Sequence, residues 1–190
     1  MQAFWEHGFE ATSIAELTKA MGIGAPSLYA AFGDKKTLFR EVVEAYQRTY
    51  GAFAMRALAE EPTARQGVAR LLREAATEYT DSRHPRGCLV ISAATNCGPD
   101  SIDIEDLLRR LRNANVRELE RRIRADIKAG ELPSDTDPKA LATYTAAVLQ
   151  GMSQQARDGA TRAQLEAVAE AAMRAWPPPP RTRSTAEATT

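Results

Sequence analysis

Thr12 and Ser13 stand immediately before an apolar-periodic run. A hydroxyl there accepts a bond from an orphan backbone N–H and caps a helix. A helix N-terminus built this way offers N–H groups and a partial positive charge, which suits a phosphate. Lys35 and Lys36 open a later helix and can add charge to such a contact. Other chemistry is poorly served. The histidines, His7 and His84, lie in no metal or catalytic spacing, and no glycine loop of the phosphate-cradling kind occurs. Neither a metal, a cofactor nor an enzymatic activity is expected. The formal net charge is +0, so any attraction to nucleic acid must come from locally placed cations.

Two cysteines, Cys88 and Cys97, do not make a disulfide framework of the secreted kind. Residues 88–97 are apolar and small, and read as a short, largely buried helix. On one helix the two thiols would be ~13 Å apart along the axis and on opposite faces. That exceeds the ~7 Å between α-carbons that a disulfide bridges. Buried inert cysteines are the simpler reading. A single reactive thiol is the other, with His84 and Arg86 near Cys88 in sequence.

The elements that position these groups are helical. Ile14, Ala15, Leu17, Thr18 and Met21 recur on one helical face. Gly22-Ile23-Gly24 breaks that helix, Pro26 opens a second one to about Phe32, and Gly33 ends it. Asp34 caps a third, predicted to run on to about residue 60. Two short helices joined by a glycine turn, then a long helix, make a helix-turn-helix with the second helix as reader.

The stretch GFEATSIAELTKAMGIGAPSLYAAFGDKKTLF resembles the DNA-binding domain of the TetR family of bacterial transcriptional regulators. The resemblance is carried by Gly-Phe before Thr-Ser-Ile, the Ile-Ala-Glu-Leu helix, Leu-Tyr-x-x-Phe in the reading helix and Lys-x-x-Leu-Phe opening the next. It covers roughly the first quarter of the chain by motif. It implies a homodimer on a near-palindromic double-stranded operator, and a repressor that a small molecule releases. Lys35 matches a lysine that contacts the DNA backbone, and Tyr29 a tyrosine whose hydroxyl meets a phosphate. Ala25, Pro26, Ser27, Ala30 and Ala31 occupy positions facing bases or the groove wall. They are small and make few bidentate bonds, so apolar contact, Ser27, shape and water should carry recognition. The family's first helix is longer than residues 1–8 allow, so Met1 is read as an internal methionine of a chain that begins upstream.

The remainder reads as an all-α body. Helices are predicted over 63–79, 102–129, 138–156 and 162–176, with loops at Ser82–Gly87 and Leu132–Asp137. The expected organisation is a DNA-binding head over 1–46, a ligand-binding and dimerisation body over 47–176, and a disordered tail over 177–190. By the resemblance, the middle helices enclose a cavity. Tyr79, Thr95, Asn96, Asn115 and Tyr144 are its candidate polar groups. Asn115 interrupts an apolar face, and either reaches the cavity or bonds at a helix seam. Leu141, Val148 and Met152, with Leu165, Val168 and Ala172, lie on alanine-rich helices that can pack against a second copy as a four-helix interface. The arginines between residues 109 and 124 are interspersed with Glu105, Glu118, Glu120 and Asp126 and read as a solvated, ion-paired face.

The start carries no secretory pattern, and residues 140–152 fall short of the ~20 apolar residues of a membrane span. A cytoplasmic protein without a membrane partner is expected. Two rival readings stand beside the operator-binding repressor. One is a regulator triggered by cysteine oxidation or electrophiles. The other is a ligand-binding or interaction module that no longer reads DNA.

Overall fold

The computed structural model describes residues 1–178, and the described residues form ten α-helices and one short 3-10 turn without a strand. From residue 179 on, the expectation of a disordered tail lies outside the described residues.

Helices α1 (Gln2–Ala11), α2 (Ile14–Met21), α3 (Ala25–Phe32) and α4 (Lys35–Arg48) make the head. Its core is aromatic. Phe4 and Phe9 of α1 set their rings against Phe39 of α4 at 5.0 and 5.1 Å, edge-on. Leu17, Leu28 and Leu38 complete it, all buried. Edge-to-face pairs of this kind add about 0.5–1.5 kcal/mol beyond their buried area. The first helix bends at Gly8 and resumes through Ala11. It resumes because the Phe9 N–H, freed from the helix, donates to the Ala93 carbonyl at 2.7 Å.

The single long helix expected from Asp34 to about residue 60 is two helices. α4 stops at Arg48, and α5 (Ala52–Glu60) starts after a turn. Thr49 leaves helical geometry with φ −116° and ψ −98°. Gly51 donates its N–H to the Tyr46 carbonyl at 2.8 Å. A Cβ on Gly51 would stand 2.9 Å from Cε1 of Tyr46, so the turn closes over that ring only with glycine there.

α6 (Ala64–Glu78), capped by Thr63, runs through the middle of the body between α5 and α10 (Arg162–Arg174). α8 (Ile102–Ala129) packs along α9 (Pro138–Arg157). Val68, Leu72, Leu108, Ile123, Ala142 and Ala156 are among the residues closing the core. α7 (Leu89–Ser92) is one turn long, so the helix expected over 88–97 does not form. The Ala93 carbonyl, which would accept from residue 97 in a continued helix, accepts from Phe9 instead. Cys88 is the N-cap of α7 and Cys97 lies past its end, so the opposite-faces geometry drawn for one helix does not apply.

The arginine-rich α8 is in part the solvated face expected: Arg109, Arg121 and Arg124 pair with Asp106, Glu118 and Glu120. Arg122 turns inward and donates to the carbonyls of Leu58, Glu61 and Pro62. Asp126 is buried too, and its Oδ2 accepts from the Ala64 N–H at 2.5 Å, capping α6. Several polar contacts fix head to body. Besides Phe9 on Ala93, Glu10 Oε1 accepts from the Gly98 N–H at 3.1 Å. Arg157 donates to the carbonyls of Trp5 and Glu6 at 3.2 and 2.9 Å. Lys36 and Arg40 of α4 share the carboxylate of Asp103.

Candidate nucleic-acid interface and effector cavity

Ser13 caps α2: its Oγ accepts from the Glu16 N–H at 3.1 Å, and the residue is exposed. Thr12 does not share this role. It is 0% exposed, and its hydroxyl donates to the carbonyls of Gly8 at 2.6 Å and Ala3 at 3.2 Å. Buried and bonded to α1, Thr12 stands in the core of the head rather than on a surface open to phosphate. Gly22 turns the chain from α2 to α3 in the left-handed conformation, φ 65° and ψ 28°, which favours glycine. Leu28 then points into the head, and Pro26, Ser27, Tyr29, Ala30 and Ala31 are exposed, with Ala25 half-buried. Tyr29 is 48% exposed, the largest side chain α3 offers to solvent.

The two lysines separate. Lys35 lies 4.4 Å from the centroid of the Phe9 ring, and its Nζ donates to the Glu10 carbonyl at 3.4 Å. Partial burial pulls its ammonium below the usual lysine value. It stands beside the end of α1, within the head. Lys36 faces the body. Its Nζ donates to Asp103 Oδ1 and to the Asp100 carbonyl, both at 2.6 Å, and that bond holds the Asp103 carboxyl below the usual aspartate range. In the DNA-free protomer, Lys36, expected at the DNA, is engaged by the body, where the 3-10 turn Pro99–Ser101 and the start of α8 sit against this end of α4. Lys19, in the last turn of α2, is exposed and makes no ion pair among the described residues, a surface cation that the reading of the sequence passed over.

The body encloses a cavity with about 1010 Å³ of empty space, its open mouth included. Of the polar candidates, Tyr79 and Asn115 lie on its wall. Thr95, Asn96 and Tyr144 do not. Thr95 and Asn96 are exposed beyond α7, and Tyr144 faces outward, with its hydroxyl donating to the Ala172 carbonyl at 3.4 Å. The wall brings in Tyr46, Cys88, Arg112, Thr145 and Gln150, none of them foreseen as cavity groups. Arg112 belonged to the run read as a solvated, ion-paired face. The usable signal was spacing, since Arg112 and Asn115 are three apart and share one side of α8.

At the base of the cavity the Tyr46 hydroxyl donates to Cys88 Sγ at 3.3 Å. Burial pushes the Cys88 thiol up, and pushes the Tyr46 and Tyr79 phenols up as well. All three are neutral near pH 7. The half-buried Cys97 thiol is pushed up by burial too. Burial thus favours the protonated thiol at both cysteines.

The dimerisation candidates divide in the same way. Met152 and Leu165 are each 1% exposed, and Ala172 is buried; all three are spent on the protomer's own core. Leu141 and Val148 are half-buried, and Val168 is 40% exposed. The outward face of α9 and α10 carries Tyr144, Ala147 and Gly151 with Ala167, Val168 and Ala171. Apolar residues fall on two sides of both helices, and the larger ones went inside.

Known proteins resemble the chain over nearly all of its length. Residues 1–42 match the model for bacterial regulatory proteins of the tetR family, and residues 64–175 match that for the tetracyclin repressor-like C-terminal domain. The HTH-type transcriptional repressor ComR of Escherichia coli is 35% identical over 178 residues, covering 93% of this chain and 85% of its own. The repressor BdcR of the same organism is 36% identical over 101 residues, 53% of this chain and 51% of its own. A cysteine-substituted variant of the TetR family regulator CifR, solved with a 26 bp double-strand operator DNA, superposes with a TM-score of 0.89 at 45% identity, covering 93% of this chain and 92% of that one. With both the head and the body matched, the chain belongs to the TetR family of bacterial transcriptional regulators.

Proposed function

We propose that this chain is a homodimeric, ligand-responsive repressor that reads a near-palindromic operator with α3 and releases it when a small molecule enters the body cavity. Residues 1–46 act as the reading head and 47–176 as the sensing and dimerising body, beside DNA in the cytoplasm and without an enzymatic step. The observation that carries this reading is the placement of α4. Its C-terminal end sets Tyr46 and Gln47 on the cavity wall, and its N-terminal end lies against the reading helix. Its 14 residues span about 21 Å. A ligand that displaces Tyr46 therefore tilts the support of α3. Release requires that the ligand bind the tilted state more tightly than the operator-bound one. The repressor relatives and the operator complex of the CifR variant support the same direction.

On DNA, Ser27, Tyr29, Ala30 and Ala31 meet the groove, with Pro26 and Ala25 at the entry of α3. Ser13 and Lys35 contact the backbone. The dimer forms through the small-residue face of α9 and α10, which sets the two reading helices about one DNA turn apart, ~34–36 Å. Selection of fragmented host DNA on the purified protein, followed by sequencing, tests the reading. It should enrich a short motif with two inverted half-sites near the protein's own gene. Enrichment without a shared motif would refute it.

A further inference from the structure

We infer that the cavity accepts an apolar carboxylic acid, bound as its carboxylate by Arg112. The inference rests on the reading of this cavity as the effector site and names the class of effector. No Asp or Glu lines the wall, and Arg112 is the one charged side chain on it among the described residues. A guanidinium carries five N–H donors. One of them goes to the Val90 carbonyl at 2.8 Å, and Arg112 has no other hydrogen bond or ion pair among the described residues. The other arginines of α8 are provided for. Arg109, Arg121 and Arg124 hold carboxylates, Arg122 holds carbonyls, and Arg110 and Arg117 stand exposed to water. Arg112 alone is drawn into a wall that is otherwise neutral, and burial lowers its affinity for a proton. A partly desolvated cation gains most from an anion that brings a fork-shaped pair of acceptors.

The rest of the wall fits such a molecule. Asn115, one turn along α8, offers an amide beside the guanidinium, and Gln150 another from α9. Phe53, Leu58, Leu71, Leu119 and Leu149 supply an apolar lining for the tail. A cationic ligand would place a second positive charge by Arg112 with no acid on the wall to offset it. A neutral one would leave the guanidinium without a counter-charge. Arg112 also grips α7 through Val90, and α7 leads directly to Ala93, on which Phe9 of the head is docked. A carboxylate that draws on the guanidinium therefore acts on the joint between body and head.

The test is calorimetric binding to the DNA-free protein of octanoate and 4-phenylbutanoate, each beside its own amide and the corresponding amine. The acids should bind at least tenfold more tightly than their amides, and the amines not at all. Arg112→Gln should remove the preference, and Arg112→Lys should keep part of it. Binding of the amides as tight as that of the acids would overturn the inference, as would failure of both acids to bind. Survival of the preference in folded Arg112→Gln would do the same. If that variant does not fold, the acid–amide comparison on the unaltered protein decides. Operator affinity measured with the same compounds keeps the two readings apart. Acids that bind without releasing DNA leave the ligand class standing and defeat the release mechanism. Release by the amides alone keeps the regulator and overturns the class.

Discussion

At the scale of single residues, Lys35 and Lys36 show how neighbours in sequence take different work. Lys36 is bound by Asp103 of the body, while Lys35 lies within the head over the Phe9 ring. Lys35→Ala should weaken operator binding whatever the sequence and lower the salt slope by about one unit. Tyr29→Phe should weaken binding uniformly as well, through loss of one phosphate hydrogen bond. Lys36→Ala should leave the slope unchanged, and anisotropy across a salt series would separate the three. An unaltered slope for Lys35→Ala would remove it from the DNA contact. Asp103 answers to pH. Its carboxyl is held below the usual value by the hydrogen bond from Lys36, so its contribution is full above the ordinary aspartate range, ~4, and fades as pH falls through the lowered value. Asp103→Asn should therefore lower the melting temperature at pH 7 and make little difference at a pH below that lowered value. An equal effect at both would show that the ion pair does not hold the joint.

At the scale of helices, the head was largely legible. Glycine turns, Pro26 and the caps Ser13 and Asp34 are local signals, and each acts within four residues of the structure it specifies. The break between α4 and α5 was not. Leu38, Val42, Tyr46 and Phe53 keep helical spacing through it, and only the closeness of Gly51 to the Tyr46 ring, a tertiary fact, shows why the chain turns. Likewise α7 ends early because of Phe9, more than eighty residues before it in the chain. Gly51→Ala should cost about 1–3 kcal/mol by overpacking against Tyr46. Denaturant unfolding would measure it, and a neutral result would mean that the turn has room. The cavity wall was half readable for a related reason. Periodicity marks apolar faces, and it found Tyr79 and Asn115 while missing an arginine that leaves a charged face to enter the wall.

At the scale of the molecule, buried and outward faces of α9 and α10 set apart folding from assembly. Met152→Ala should cost the protomer about 2–5 kcal/mol, as large-to-small core changes do. Gly151→Arg or Val168→Glu should leave helicity intact and shift sedimentation from dimer to monomer, with operator affinity falling alongside. Dimers that persist in both variants would move the interface elsewhere. Two reading helices on one dimer are what allow a head with few free cations to bind DNA selectively. Lys36 and Arg40 are engaged by Asp103, and on the proposed reading shape and small apolar contacts carry much of the choice of sequence. The most direct measurement is anisotropy of the dimer on the DNA flanking its own gene against a scrambled duplex, across a salt series. Tight, sequence-selective binding with a log–log slope of several units is the expected result. Weak binding that does not distinguish the two duplexes would contradict it.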